Sequence, residues 1–201
     1  MTKFQIFNFK IPQFQNSKYS LILLLLLFFV HNPSFAQYLN EENSPVKWLS
    51  FDELEEAMKK NPKKILVDIY TDWCVYCRML DDKTLQNKEI ADFLNTYFYC
   101  VKLNAEKSGK VNFNDETYQL LSHDGAAMHE LSIALYGKSD EVAYPALILL
   151  NENYEILFRH VGYIKSKELS PLLEFLGKDI YKDQSWEDFK KNQKAAGKRK
   201  G

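Results

Sequence analysis

The chain has 201 residues, with 26 basic and 27 acidic side chains and a formal net charge of −1. Hydrophobic residues make up 46% and charged residues 26%, the balance of an ordinary folded protein rather than a disordered or fibrous one. So little net charge gives no basis for attraction to nucleic acid, and no nucleic-acid partner is expected.

Residues 1–36 differ from the rest. Lys3, Lys10 and Lys18 lie in a stretch without acidic residues, Leu21–Val30 is an unbroken apolar run of ten, and Pro33 and Ser34-Phe35-Ala36 follow. That order reads as a signal peptide cleaved after Ala36. At 1.5 Å per residue the run covers about 15 Å, half of the roughly 30 Å hydrocarbon core, too short for a stable span. Gln37, not Cys, follows the cut, so no lipid attachment is expected there. The expected location is periplasmic or otherwise extracytoplasmic, with membrane contact only through an uncleaved leader. Loss of the three lysines takes the net charge from −1 to −4.

Residues 37–45 read as a polar linker, 46–181 as one α/β domain, and 182–201 as a basic, solvated tail. Ser50 and Glu53 make a capping box, and Phe51, Leu54, Ala57 and Met58 share a helical face that Asn61-Pro62 ends. Lys64–Tyr70 reads as a buried strand. Thr71-Asp72-Trp73 turns into a helix beginning near Cys74 and reaching about Tyr97, with a break near Asn87. Phe98–Asn104 is a second strand. About 107–125 reads as an insertion of loop or irregular structure, and Met128, Leu131, Ala134 and Leu135 as a helix ending at Gly137. Pro145–Leu150 and Tyr154–His160 form a hairpin around Asn151-Glu152-Asn153. Leu169, Leu172, Leu173 and Leu176 mark a last helix; Pro171 is tolerated only in a first turn, while Ser166 and Ser170 could each cap, which leaves its start open between them. Residues 185–190 have the pattern of one short further helix. This succession gives a three-layer α/β/α sandwich with a mixed sheet.

Three cysteines occur, Cys74, Cys77 and Cys100. A bridge between residues three apart closes too short a loop to staple a fold, so the close pair points to reactivity. Cys-x-x-Cys where a strand feeds a helix is a redox candidate. Residues i and i+3 on a first turn are neighbours, and the helix N-terminus stabilises a thiolate on the leading cysteine. Cys74 is therefore expected to be the exposed nucleophile and Cys77 the buried resolving thiol. A zinc site would need two more ligands, and Cys100, His123, His129 and His160 show no paired spacing, so no metal is expected. Cys100, between aromatic residues in mid-strand, reads as a buried inert thiol.

ILVDIYTDWCVYC resembles the strand, turn and active-site helix of the thioredoxin superfamily. The similarity continues through VKLNAE (101–106), Ala143-Tyr144-Pro145-Ala146 and His160-Val161-Gly162, in family order across roughly 46–180. The chain is similar to exported bacterial members, including the reducing C-terminal domain of transmembrane electron conductors. The resemblance implies that Asp68 is the buried acid assisting proton transfer at the resolving cysteine, with Lys102 beside it in support. It implies that Pro145 is a cis-proline, and that Trp73, Tyr144, Pro145 and Gly162 line the substrate site. The expected activity is thiol–disulfide exchange with protein thiols and disulfides. It needs no cofactor beyond the Cys74–Cys77 disulfide, and a membrane protein would supply electrons. Potentials in this chemistry run from about −270 mV for thioredoxin to about −120 mV for the strongest oxidants. Val75 and Tyr76 offer no positive charge to stabilise a thiolate, which favours a reductase. A disulfide oxidase or isomerase, and a binding module of the same fold using the insertion, are the alternatives.

Overall fold

The computed structural model describes residues 45–123, 126–137 and 142–198. The leader, its cleavage point and nearly all of the linker lie outside the described residues.

Six of the seven residues of β2 (Lys64–Tyr70) are buried, as expected for a strand covered on both faces. Its parallel neighbour β3 (Phe98–Asn104) pairs in turn with the two-residue β1 (Trp48–Leu49). On its other side β2 runs antiparallel to β8 (Ala146–Leu150), which pairs antiparallel with β9 (Ile156–Val161). The sheet order is β1-β3-β2-β8-β9, a mixed sheet with helices on both faces.

Strand alternation splits the core in two. Leu66, Cys100, Leu147 and Leu149 face α2 (Val75–Leu80), α3 (Lys88–Tyr97) and α5 (Ser166–Gly177). Ile65, Val67, Ile69 and Ile148 face α1 (Phe51–Lys60) and α4 (Glu130–Tyr136). The Ser50–Glu53 capping box starts α1, with Glu53 N donating to Ser50 Oγ at 3.2 Å. A π turn, Asp81–Leu85, follows α2, and Asn87 caps α3. Gly177 lies so close to α3 that an added Cβ would stand 2.7 Å from Phe93 Cε1.

Three elements differ from the sequence expectations. The stretch read as irregular carries paired strands that run past its end: β4 (Val111–Phe113) with β5 (Glu116–Tyr118), and β6 (Leu120–His123) with β7 (Ala126–His129). Met128 therefore lies in a strand, and the following helix begins only at Glu130, capped by His129. Phe113 anchors the first hairpin, edge-on to Phe51 and Tyr154. The last core helix begins at Ser166, which puts Pro171 in its second turn; burial of Leu169, Leu172, Leu173 and Leu176 outweighs the lost hydrogen bond. Finally, the short helix expected at 185–190 is present and runs on through the stretch read as a solvated tail, as α6 (Trp186–Lys198). Trp186 meets Phe175 edge-on at 5.1 Å and Phe189 lies tilted against it at 5.2 Å, and Phe189 is buried, which holds the helix down.

Candidate active site

From the end of β2, Thr71-Asp72-Trp73 turn the chain into α2. Three groups hold that turn: Asn104 Nδ2 and Lys107 Nζ reach the Asp72 carboxylate at 2.7 and 2.6 Å, and Arg78 Nη1 donates to its carbonyl at 3.0 Å. Cys74 is the N-cap of α2, and its Sγ accepts the Cys77 N–H at 3.0 Å. It is bonded to Cys77 as a disulfide, with Cα atoms 5.3 Å apart.

The expected contrast between an exposed Cys74 and a buried Cys77 is absent, since each is 4% exposed. The N-cap geometry and the bridge turn both sulfurs inward. Their neighbours take the surface instead: Trp73, Val75 and Tyr76 are 65%, 59% and 60% exposed.

Below the helix, Asp68 occupies the same face of β2 as Leu66. It is paired in register with Lys102, whose Nζ lies 3.1 Å from Asp68 Oδ2 and 2.5 Å from Asp81 Oδ1. Asp68 Oδ1 is buried without a hydrogen-bond partner. Burial pushes the Asp68 carboxyl above its usual range; Lys102 pulls the other way but is shared with Asp81, whose charge adds to the rise. Burial disfavours the Lys102 ammonium, yet the two carboxylates outweigh it and hold the proton more firmly. Asp81 was not singled out from sequence. It lies four residues after Cys77, a spacing that puts both on one helix face, so the signal was there.

The Tyr144–Pro145 bond is cis, and Pro145 O accepts the Gly162 N–H at 2.7 Å. Gly162 has φ 97°, a conformation that favours glycine. The Tyr144 ring meets Trp73 edge-on at 6.1 Å, and its hydroxyl donates to Met128 Sδ at 3.5 Å. Trp73 Nε1 donates to Glu106 Oε2 at 2.8 Å. Direct contacts therefore join Trp73 to Tyr144 and Gly162 to Pro145. Glu106 and Met128 belong to the same rim and went unnoticed as site residues; Met128 had been read as a core residue of a helix.

Cys100 is buried opposite Leu66, and burial pushes its thiol up to about 12. His129 is fully buried; its Nδ1 accepts the Leu131 N–H and its Nε2 lies 2.8 Å from Gly109 O, a capping role. Among the described residues no three His, Cys, Asp or Glu side chains are grouped to hold a metal ion.

Comparison with known proteins places this geometry in context. Residues 51–177 match the family described as a thioredoxin-like domain. A stretch of 82 residues is 31% identical to spermatogenesis-associated protein 20 of Mus musculus; it covers 40% of this chain and 10% of that protein, so the chain spans about a tenth of that relative's length. A thioredoxin-fold protein from Helicobacter pylori aligns with 25% identity and a TM-score of 0.47, over 67% of this chain and 82% of the other. The C-terminal domain of Neisseria meningitidis DsbD, in its reduced form, aligns with 18% identity and a TM-score of 0.41, over 64% and 97%. The family match takes in β2, β3, β8 and β9, the disulfide and the Tyr144–Gly162 rim, so the chain belongs to the thioredoxin-like family and carries the paired cysteines of a thiol–disulfide oxidoreductase.

Proposed function

We propose that the protein is an extracytoplasmic disulfide reductase of protein substrates, working through Cys74 and Cys77. The observation that carries this reading is the disulfide at the head of α2, with the Cys77 N–H directed at Cys74 Sγ. In the reduced protein that N–H and the helix N-terminus stabilise a Cys74 thiolate. The thiolate attacks one sulfur of a substrate disulfide, forming a Cys74–substrate bond and releasing the other substrate sulfur as a thiolate. Cys77 then loses its proton and attacks Cys74 Sγ, which restores the Cys74–Cys77 bridge and frees the second substrate thiol. Two electrons pass from the protein dithiol to the substrate.

Asp68 is the acceptor for the Cys77 proton. Its raised affinity for a proton and its unpartnered Oδ1 suit it to take one up within the protein. Lys102 and Asp81 position it. Val75 and Tyr76 add no positive charge to a Cys74 thiolate, which keeps the reduced pair a ready donor and favours reduction over oxidation. The apolar leader, removed after Ala36, supports an exported location. An oxidising exterior then calls for recharging by a reduced dithiol partner, with a membrane protein as the source. No cofactor beyond the disulfide takes part.

The mature protein, reduced and mixed with insulin, tests the reading. Cys74→Ser lowers insulin reduction about 100-fold or more, and Cys77→Ser accumulates mixed disulfides through Cys74. Undiminished turnover by Cys74→Ser ends the proposal. The potential is expected near about −270 mV rather than about −120 mV.

A further inference from the structure

Leu121 is 46% exposed on β6, although its strand partner Met128 is half-buried. Residues directly opposite in an antiparallel pair project from the same face, so Leu121 and Met128 stand side by side. Met128 Sδ accepts the Tyr144 hydroxyl at 3.5 Å, and the Tyr144 ring meets the exposed Trp73 ring. A continuous chain of side chains, Trp73–Tyr144–Met128–Leu121, thus leads from the residue beside Cys74 onto the second hairpin of the insertion. Cys74 and Cys77 are each 4% exposed, so a substrate meets the exposed Trp73 end of this rim next to the bridge.

Resting on the reductase reading, we propose that Leu121 and Met128 set substrate specificity. They bind an apolar side chain close in sequence to the reacting cysteine of an extended protein segment. A folded surface presenting only its sulfur does not reach both points, and a small soluble disulfide has nothing to place against Leu121. The occupant is a polypeptide whose reactive cysteine is flanked by large aliphatic residues. Among the described residues the acidic side chains Glu106, Asp72 and Glu130 already hold donors, from Trp73, Lys107 and, at 2.8 Å, the Gln119 N–H.

Two decapeptides, each dimerised through one central cysteine, provide the test; one carries leucines around the cysteine and the other aspartates. The reduced wild-type protein is expected to prefer the leucine peptide about tenfold in kcat/KM, chiefly through KM. Leu121→Ser brings that preference below about threefold by slowing the leucine peptide, while Leu121→Met retains it. Loss of both rates in parallel, or a preference unchanged by Leu121→Ser, overturns the assignment. A wild-type protein that reduces both peptides without preference overturns it too, but leaves the reductase reading standing. A wild-type protein inert toward both sinks the reductase reading itself, and this inference with it.

Discussion

Strand β2 carries a buried charged residue near each end, and each belongs to a cluster of lysine and carboxylate groups, with two lysines in the first and one in the second. At the start, Lys64 is the buried member, with Glu152 and Asp179 at 2.9 and 3.0 Å on a partly exposed rim. Further along, Asp68 is the buried member, with Lys102 between it and the partly exposed Asp81. The two clusters give opposite results. Burial works against Lys64, but its two partners outweigh the loss and raise its pKa, and Asp179 is pulled below its usual range despite its own burial. Asp68 shares its one cation and keeps a bare oxygen, so burial wins and its pKa rises. In the first cluster the second Asp179 oxygen makes no hydrogen bond but has the Lys182 ammonium 3.0 Å away, so each charge there faces an opposite one, and the cluster serves stability. The second is deliberately short of a partner, and a group short of a partner is one that exchanges a proton.

The largest expected effect comes from emptying the first cluster. Glu152→Gln with Asp179→Asn leaves Lys64 buried without a counter-charge and lowers stability by about 2 kcal/mol, after allowance for the solvent exposure of both carboxylates. Urea unfolding measures it, and a change under about 0.5 kcal/mol would show that solvent already satisfies Lys64. The loss should hold across neutral pH. Asp179 titrates below its ordinary 3.8, so the stability it contributes is present above that value and lost as pH falls through its lowered pKa.

The second cluster should respond with the opposite sign. Asp68→Asn is expected to raise stability at pH 7 by about 1–2 kcal/mol, because a buried carboxylate is no longer held out of water while Lys102 keeps Asp81 as its counter-charge. The folded protein retains the Asp68 proton to a higher pH than the unfolded chain, whose carboxyl titrates near 3.8. Wild-type stability therefore falls as pH rises from there to the folded pKa. The two proteins should match at low pH and diverge on the way up, in unfolding curves taken at successive pH values. The same variant should slow exchange about 10–100-fold, as expected for loss of a proton acceptor. A variant both less stable and fully active would remove the contrast between the clusters.

The smallest effect sharpens it. Asp81→Asn gives Lys102 wholly to Asp68, which lowers the Asp68 pKa and shifts its titration to more acidic pH. Stability changes by about 0.5 kcal/mol or less, since Asp81 is partly exposed. Titration of the Asp68 carboxyl by NMR reads the shift directly.

The sheet was legible because its central strands are short runs of buried apolar residues bounded by clear breaks. Asp68 stood out by being the one acid inside such a run. Periodicity failed where elements were too short to show any. The strands of the two insertion hairpins have three or four residues each, and β1 has two. The last helix was legible only at its start, 185–190: beyond that its charge looks like a solvated terminus, while Trp186 and Phe189 pack it against Phe175. The burial of Cys74 was out of reach of sequence, since it follows from the bridge and the rim together.

The excursion after β3 leaves and returns at one point. Ala105 N donates to Tyr70 O, and Ala105 O accepts the His129 N–H at 2.7 Å, so residues 105 and 129 touch across everything between them. A segment whose two stems already meet is a cassette. It could be exchanged for another of different length or polarity while the five-stranded sheet and the bridge stay as they are. One scaffold would thereby yield relatives that share a chemistry and differ in their clients.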